Sequence, residues 1–163
     1  MTSEEYLRQA VRLDEKINYD LEELAWLRAM AGSVPSSAAR DRVQTSRRGE
    51  APFVRSVEKI LAMEEKIDRE IDLLVDLREQ IREVIDTVQN RDERMVLHCR
   101  YIKGMSWDQT ALKLSAAKRT VHRWHASALQ HVVLPEKPIV IPEEAEKGKP
   151  GGTGAGHSGG TQC

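Results

Sequence analysis

Residues 53–88 read FVRSVEKILAMEEKIDREIDLLVDLREQIREVIDTV and contain no proline. Ten positions in this stretch alternate three and four residues apart, and eight of them are apolar: Val57, Ile60, Glu64, Ile67, Ile71, Leu74, Arg78, Ile81, Ile85 and Val88. An apolar stripe with this spacing is typical of a helix that packs as in a coiled coil. The spacing therefore predicts a helix over residues 53–88, roughly 50 Å long at about 1.5 Å per residue.

A second amphipathic stretch precedes this helix. Residues 3–31 contain no proline, and their apolar residues lie near one stripe: Leu7, Ala10, Leu13, Ile17, Leu21, Leu24 and Ala31. Ser3 marks the expected start of the helix and Gly32 its end. Two such helices joined by the linker 32–52 predict a long antiparallel, coiled-coil-like hairpin over residues 1–90. Pairing between two chains would bury the same stripe, and the pattern does not choose between the two arrangements.

The composition of the 163 residues favours a cytoplasmic all-α protein. Aromatic residues make up only 4% of the chain, which argues against a β-sandwich or barrel with many tight turns. No apolar run approaches the roughly 18 residues of a membrane span, and the acidic start does not resemble a signal peptide. Two cysteines, Cys99 and Cys163, cannot form a disulfide framework, so a reducing compartment is expected.

Charge is segregated along the chain. Residues 1–90 carry 14 basic and 19 acidic side chains, whereas residues 91–131 carry 8 basic and 3 acidic ones. A basic block of this length behind an acidic one predicts an anion-binding module. Residues 133–163 are rich in Pro, Glu and Gly and are predicted to form a disordered tail. The linker 32–52 contains several arginines, including Arg47, and is interpreted as a solvated loop or as an auxiliary phosphate-contacting loop.

The basic block predicts three short helices over residues 91–132. Gly104 ends the first helix, and Ser106 with Gln109 matches a capping box at the start of the second. A tight turn at Ser115 leads to a third helix that begins near Ala117. Its core face contains Val121 and Trp124, and its opposite face is cationic, with Lys118, Arg119, His122 and Arg123.

This cationic helix has the arrangement that a recognition helix needs in a DNA major groove. A solvated surface helix would carry similar charges, but the two-helix pattern and the capping box favour DNA contact. The spacing His122-x-x-His125 would place two metal ligands on one side of the helix. The sequence has no C-x-x-C, so Cys99 is interpreted as a small core residue, and no metal or cofactor is expected. No nucleophile, base and acid combine into a catalytic set, so the chain is not expected to be an enzyme.

The stretch RYIKGMSWDQTALKLSAAKRTVHRWHASAL (100–129) is similar to region 4 of bacterial sigma-70 factors, whose helix-turn-helix reads a promoter element. This resemblance covers residues 91–131. Residues 1–134 as a whole resemble a family of Firmicute phage and prophage proteins, with a loop of the RVQTS kind (42–46) and the segment EIDLLVDLREQI (70–81). These proteins are grouped with the autolysin-regulator and RinA-type late transcription regulators of phages.

The resemblance to sigma-70 region 4 implies specific DNA-contacting positions. Ser115 departs from the pattern because it replaces a frequent turn glycine, and Ala117 replaces a frequent helix-capping Ser or Thr. Arg119 stands where sigma-70 often has Glu, so the base preference does not carry over. The implied positions are Lys118, Arg119 and Arg123 for bases, and Thr120 and His122 for phosphates.

The resemblance implies a sequence-specific DNA-binding transcription regulator of phage or prophage origin. Its partners would be double-stranded DNA and, through the N-terminal helices, RNA polymerase or a second copy of the chain in a homodimer; no membrane is expected. One alternative is a phage terminase small subunit, which also joins a helix-turn-helix to long helices but serves DNA packaging. Another is a helical adaptor that does not bind nucleic acid.

Overall fold

The computed structural model describes residues 1–33 and 50–142, and the regular structure in these ranges is entirely helical. The predicted all-α class is therefore confirmed. No helix among the described residues is both long and apolar enough to span a membrane. The predictions for Arg47 and for the tail beyond residue 142 lie outside the described residues. The helices are α1 (Ser3–Gly32), α2 (Glu50–Asp86), α3 (Arg91–Leu97), α4 (Trp107–Lys113) and α5 (Lys118–His131), and a π-helical segment, His98–Ile102, continues α3.

The helix α1 begins at Ser3, as the sequence predicts, and a reciprocal pair of hydrogen bonds caps this start. Thr2, rather than Ser3, caps the helix, because its hydroxyl accepts a hydrogen bond from the Glu5 N–H at 3.2 Å. The Glu5 carboxylate accepts one from the Thr2 N–H at 2.6 Å, which completes a capping box. This hydrogen bond from the Thr2 backbone is the main reason that the pKa of Glu5 lies below its usual value.

Ion pairs show how α1 and α2 lie against each other. Asp14 in the first half of α1 pairs with Arg78 at 3.0 Å, whereas Arg28 near the end of α1 pairs with Glu64. Partners later in α1 come earlier in α2, so the two helices run antiparallel. Buried side chains fill the seam between them, among them Leu13, Ile17, Leu24, Ile67, Leu74, Leu77 and Ile81.

The apolar stripe of α2 divides into two columns of seven-residue spacing. One column, 60–67–74–81–88, faces α1. The other, 57–64–71–78–85, is covered only in part, because Ile85 is fully buried whereas Ile71 is 39% exposed. The predicted stripe of α1 is likewise wrong at Leu21, which is 42% exposed. A single facing helix covers only one side of an apolar stripe. In addition, the 3.6-residue repeat of an α-helix drifts relative to a seven-residue repeat. This drift brings Leu77, which lies outside both columns, into the core.

The basic block closes one end of the helix pair. Residues from α1, α2, the π-helical segment and α5 belong to one apolar cluster, so residues 1–90 and 91–132 share a core. The first two turns of α1 and the last two of α2 supply one side of this core. Its fully buried members at this end are Tyr6, Leu7, Ala10, Ile85, Val88, Leu97 and Ala128.

Residues 135–142 lie against α1 and α2, so the prediction of disorder from residue 133 is wrong for this segment. Two glutamine side chains hold its backbone. The Gln80 amide accepts a hydrogen bond from the Ile139 N–H at 2.9 Å and donates one to the Lys137 carbonyl at 3.0 Å. Gln9 accepts one from the Ile141 N–H at 2.9 Å and donates one to the Ile139 carbonyl at 3.2 Å.

The position of Leu74 generates a stability prediction. Leu74 is 6% exposed in the seam between α1 and α2. We expect Leu74→Asp to lower the free energy of unfolding by about 3–5 kcal/mol, because an unpaired carboxylate replaces a buried apolar side chain. The matched control is Leu61→Asp, since Leu61 is 54% exposed on the same helix. Urea unfolding followed by circular dichroism measures both variants, and equal midpoints for the two would show that Leu74 is not in a core.

Candidate functional site

The chain turns sharply between the π-helical segment and α4. Gly104 adopts a φ of 63°, a conformation that glycine reaches without strain, which confirms its predicted role as a helix stop. The Met105 N–H then donates to the Cys99 carbonyl at 2.9 Å. The predicted capping box of α4 is also confirmed. The Ser106 hydroxyl accepts from the Gln109 N–H at 3.2 Å, and the Gln109 side chain accepts from the Ser106 N–H at 2.9 Å.

The turn between α4 and α5 is tight and strained. Ser115, at the position of the frequent turn glycine, has a φ of 51°. The next residue, Ala116, donates its N–H to the Ala111 carbonyl at 3.1 Å, which closes the turn behind α4. Ala117 then starts α5 without a side-chain cap. This turn therefore fixes the direction of α5 relative to α4 at the expense of backbone strain.

Ser115 provides a direct test of that strain. We expect Ser115→Gly to raise the free energy of unfolding by about 0.5–1 kcal/mol, because glycine reaches this conformation without a Cβ clash. Ser115→Val should lower it by more than about 1 kcal/mol, since a β-branched side chain is especially unfavourable at positive φ. Thermal unfolding of the two variants and the parent chain checks the order, and a less stable glycine variant would contradict it.

A buried carboxylate ties α5 to α3. Glu93 is 5% exposed, and its two oxygens lie 2.7 Å from Ser127 Oγ and 2.7 Å from His131 Nδ1. The pKa of Glu93 lies below its usual value mainly because the Ser127 hydroxyl donates a hydrogen bond to the carboxylate. Burial acts in the opposite direction, and His131 lowers the pKa further. These contacts fix the rotation of α5 about its axis, because Ser127 and His131 lie one turn apart on the same side.

The lowered pKa of Glu93 makes this tie dependent on pH. A carboxylate with a lowered folded-state pKa contributes fully above its unfolded value, near 4.5, and the contribution is lost as pH falls through the folded pKa. We expect Glu93→Gln to lower the free energy of unfolding by about 2 kcal/mol near neutral pH. The difference from the parent chain should shrink below pH 4.5. Urea unfolding across this range measures it, with the exposed Glu79→Gln as the control, and a difference independent of pH would contradict the assignment.

A stack of rings and cations joins α4, α5 and the π-helical segment. The Arg100 guanidinium lies 4.1 Å from the ring centroid of Trp107, and the His122 ring lies 4.2 Å from it. His125 meets Trp107 edge-on at 4.9 Å, and its Nε2 lies 2.8 Å from the Tyr101 hydroxyl oxygen. Burial lowers the pKa of His125 below its usual value, which favours the neutral ring. Both histidines of the His-x-x-His spacing thus have packing partners, and the described residues contain no cluster of three or more metal-ligating side chains.

The outward face of α5 carries two arginines. Arg119 and Arg123 are exposed, and within the described ranges neither has an ion pair. Ala126 and Gln130 follow at helical spacing and are also exposed, so these four residues form one stripe, here called the outer stripe of α5. Sequence reasoning missed Ala126 and Gln130, although their spacing of three and seven residues from Arg123 already places them on its face.

The other predicted contact residues lie on the flanks of the outer stripe. Lys118 pairs with Asp108 of α4 at 2.7 Å, and His122 leans on Trp107. Thr120 is half-buried on the opposite flank. The structure therefore brings Arg119 and Arg123 together on one open face, and it places the other three residues at the edges of that face.

A family model described as "Protein of unknown function (DUF722)" matches residues 25–132, from the last two turns of α1 to the end of α5. The chain belongs to the DUF722 family. No curated protein and no solved structure matches the chain. The DUF722 match includes all of α3, α4 and α5, and with them Glu93, the Trp107 stack and the outer stripe.

The buried side chains of this DUF722 region agree with most of the sequence assignments. Val121 and Cys99 are fully buried, as predicted, and Trp124 is half-buried. Burial raises the pKa of the Cys99 thiol. Arg100 is half-buried over Trp107 and donates to the Met105 carbonyl.

Proposed function

We propose that this chain is a sequence-specific DNA-binding transcription regulator in which α4 and α5 form a helix-turn-helix of the sigma-70 region 4 type. The observation that carries the proposal is the outer stripe of α5, with two exposed arginines that have no acidic partner in the described part of the chain. The resemblance to sigma-70 region 4 supports the same assignment. The phage or prophage origin and a contact with RNA polymerase follow from the resemblance and belong to this proposal.

The dimensions of α5 suit a major groove. Its 14 residues extend for about 21 Å, and a B-DNA major groove is about 12 Å wide. Arg119 and Arg123 lie one turn apart in its N-terminal half, where recognition helices contact base edges. Each guanidinium can donate two hydrogen bonds to a guanine, and the Gln130 amide can pair with an adenine. The small side chain of Ala126 between them lets the helix approach the bases closely.

The charges around the outer stripe favour a polyanion. Of the three acidic residues in the basic block, Glu93 is buried against His131, Asp108 is paired with Lys118, and Asp92 is exposed at the start of α3. Lys103 and Lys113 are exposed nearby, on the turn before α4 and at its end. Phosphate contacts by such lysines position a protein on DNA, whereas base contacts by arginine select the sequence.

A binding-site selection with variant proteins tests the assignment. We expect Arg123→Ala and Arg119→Ala each to flatten the preference at one base position and to weaken binding to the selected site about 10–100-fold, because a bidentate arginine–guanine contact is worth about 1–3 kcal/mol. Arg69→Ala removes the same charge from an exposed position on α2 and is the matched control. Affinity of the parent chain should also fall steeply with salt, by close to one logarithmic unit per tenfold salt for each phosphate contact.

These binding measurements, together with a transcription assay, identify the failure of the proposal. Affinity that does not change with salt, or no binding to duplex DNA, would favour the helical adaptor. An unchanged motif in both arginine variants would place the recognition surface on another element. Salt-dependent binding without an effect on transcription from a promoter that carries the selected site would favour the terminase-like alternative.

A further inference from the structure

One face of the α1–α2 pair is bounded at both ends by ion pairs. Asp14 and Arg78 form the pair at one end, and Arg28 and Glu64 form the pair at the other. Each residue is fourteen positions from its counterpart on the same helix, which is close to four turns, so all four border the same face. We call this surface the ion-pair face.

Two exposed apolar residues lie at the centre of the ion-pair face. Leu21 is seven residues from both Asp14 and Arg28, and Ile71 is seven residues from both Glu64 and Arg78. Seven residues are about two turns, so Leu21 and Ile71 lie on the same lines as the charges. Leu21 is 42% exposed and Ile71 39%, and the neighbouring Val75 is 59% exposed.

The tail segment 135–142 does not cover the ion-pair face. Gln9, which holds this segment, is seven residues from Lys16 and therefore lies on the same line of α1. Lys16 follows Asp14 by two residues, about 200° around the helix, and pairs with Glu70 on the opposite side. The ion-pair face is thus left open over Leu21 and Ile71 by the described part of the chain.

The charges of this face are arranged so that it complements itself. Along α2 the order is acid, apolar, base (Glu64, Ile71, Arg78), with equal spacing on both sides of Ile71. Along α1 the order is acid, apolar, base (Asp14, Leu21, Arg28), with equal spacing on both sides of Leu21. Consider a two-fold axis that lies in the plane of the interface, perpendicular to the helices and level with Leu21 and Ile71. Rotation about this axis brings each acid opposite a base of a second copy.

We propose that the ion-pair face binds a second copy of this chain in an antiparallel, two-fold symmetric dimer. Ile71 then packs on Ile71 of the second copy and Leu21 on its Leu21. Glu64 lies opposite Arg78 of the second copy, and Asp14 lies opposite its Arg28. Each intrachain ion pair becomes part of a network of four charges at one end of an apolar centre, which is the usual order of core and rim in an interface.

The shape of the face is compatible with this arrangement. Between its two ion pairs, from Glu64 to Arg78 of α2, the face extends for about 21 Å, and two packed helices are about 20 Å wide, so each copy offers roughly 400 Å². Two such faces bury about 800 Å² in total, which is the size of a small, transient interface, so the charge complementarity carries the assignment of the occupant. The basic block covers Ile85, at one end of the α2 column that contains Ile71. The molecule is therefore thicker at that end of the helix pair. An antiparallel dimer places the two blocks at opposite ends, where each lies beside the thin end of the other copy.

Exchanging the two partners of an intrachain ion pair tests the dimer without removing that pair. Variant one combines Arg28→Glu with Glu64→Arg, and variant two combines Asp14→Arg with Arg78→Glu. Each variant keeps oppositely charged side chains within its own chain. In an antiparallel homodimer of either variant, all four charge contacts between the copies become repulsive. In a mixed dimer of the two variants, all four are attractive again.

The measurement is the mass of the full chain in solution by light scattering and native mass spectrometry. We expect the parent chain to be a dimer at about 10 µM, and each variant to dissociate at least 100-fold more readily, because opposed like charges cost several kcal/mol. An equimolar mixture of the variants should form a heterodimer. Circular dichroism should show the parent helix content in both variants, and loss of that content would overturn the placement of the ion pairs.

Three outcomes would overturn the dimer. A parent chain that is monomeric at about 100 µM would exclude a second copy as the occupant of the face. Variants that remain dimeric on their own would indicate a parallel arrangement, in which each swapped pair still meets its complement. A mixture that remains monomeric would exclude pairing through these charges. None of these outcomes depends on DNA binding, so the dimer and the proposed function are tested separately.

Discussion

Two amphipathic helices bury only the stripe along which they touch, and the rest of their apolar surface needs other cover. At one end of the α1–α2 pair, the basic block supplies that cover through Leu97, Tyr101 and Ala128. On one side, Ile139 and Ile141 of the tail segment add to it. The basic block and the tail segment therefore both cover apolar surface that α1 and α2 do not bury between themselves. On the ion-pair face, the described part of the chain leaves such surface exposed.

The same requirement determines what α5 presents to solvent. Val121 and Ala128 commit one side of the helix to the core, and the buried Glu93 prevents it from rotating about its axis. The opposite side, which contains Arg119 and Arg123, is then necessarily the exposed one. A cationic surface on a helix held in this way is preorganised, so little conformational entropy remains to be lost when it binds a ligand.

Local signals in the sequence predicted the local structure well. The helices were placed to within a few residues by apolar spacing, and Gly104 and Ser106 were assigned correctly because turn and cap chemistry depends on neighbouring residues. The cap at Thr2 was missed although Thr2 and Glu5 have the required spacing, because Ser3 drew the assignment. Propensity alone therefore located elements better than it located their ends.

Contacts between distant residues were beyond such reasoning. Glu93 looks like one more surface acid, and only the approach of α5 shows that Ser127 and His131 meet it. The order of residues 135–142 depends on two glutamines far away in the chain, and composition alone favoured disorder. Lys118 was assigned to bases by analogy, but the neighbouring helix offers it Asp108. In each case the deciding partner comes from another element, so no pattern within one segment could reveal it.

The two glutamines that hold the tail segment recognise its peptide groups and not its side chains. This makes the segment tolerant of drift in sequence, because an exposed residue such as Val140 can change without loss of a hydrogen bond. Proline is the exception, since at Ile139 or Ile141 it would remove the N–H that a glutamine oxygen accepts. Substitutions in this segment are therefore limited mainly by the need for a backbone N–H at positions 139 and 141. The identity of the side chain matters only at the two half-buried isoleucines.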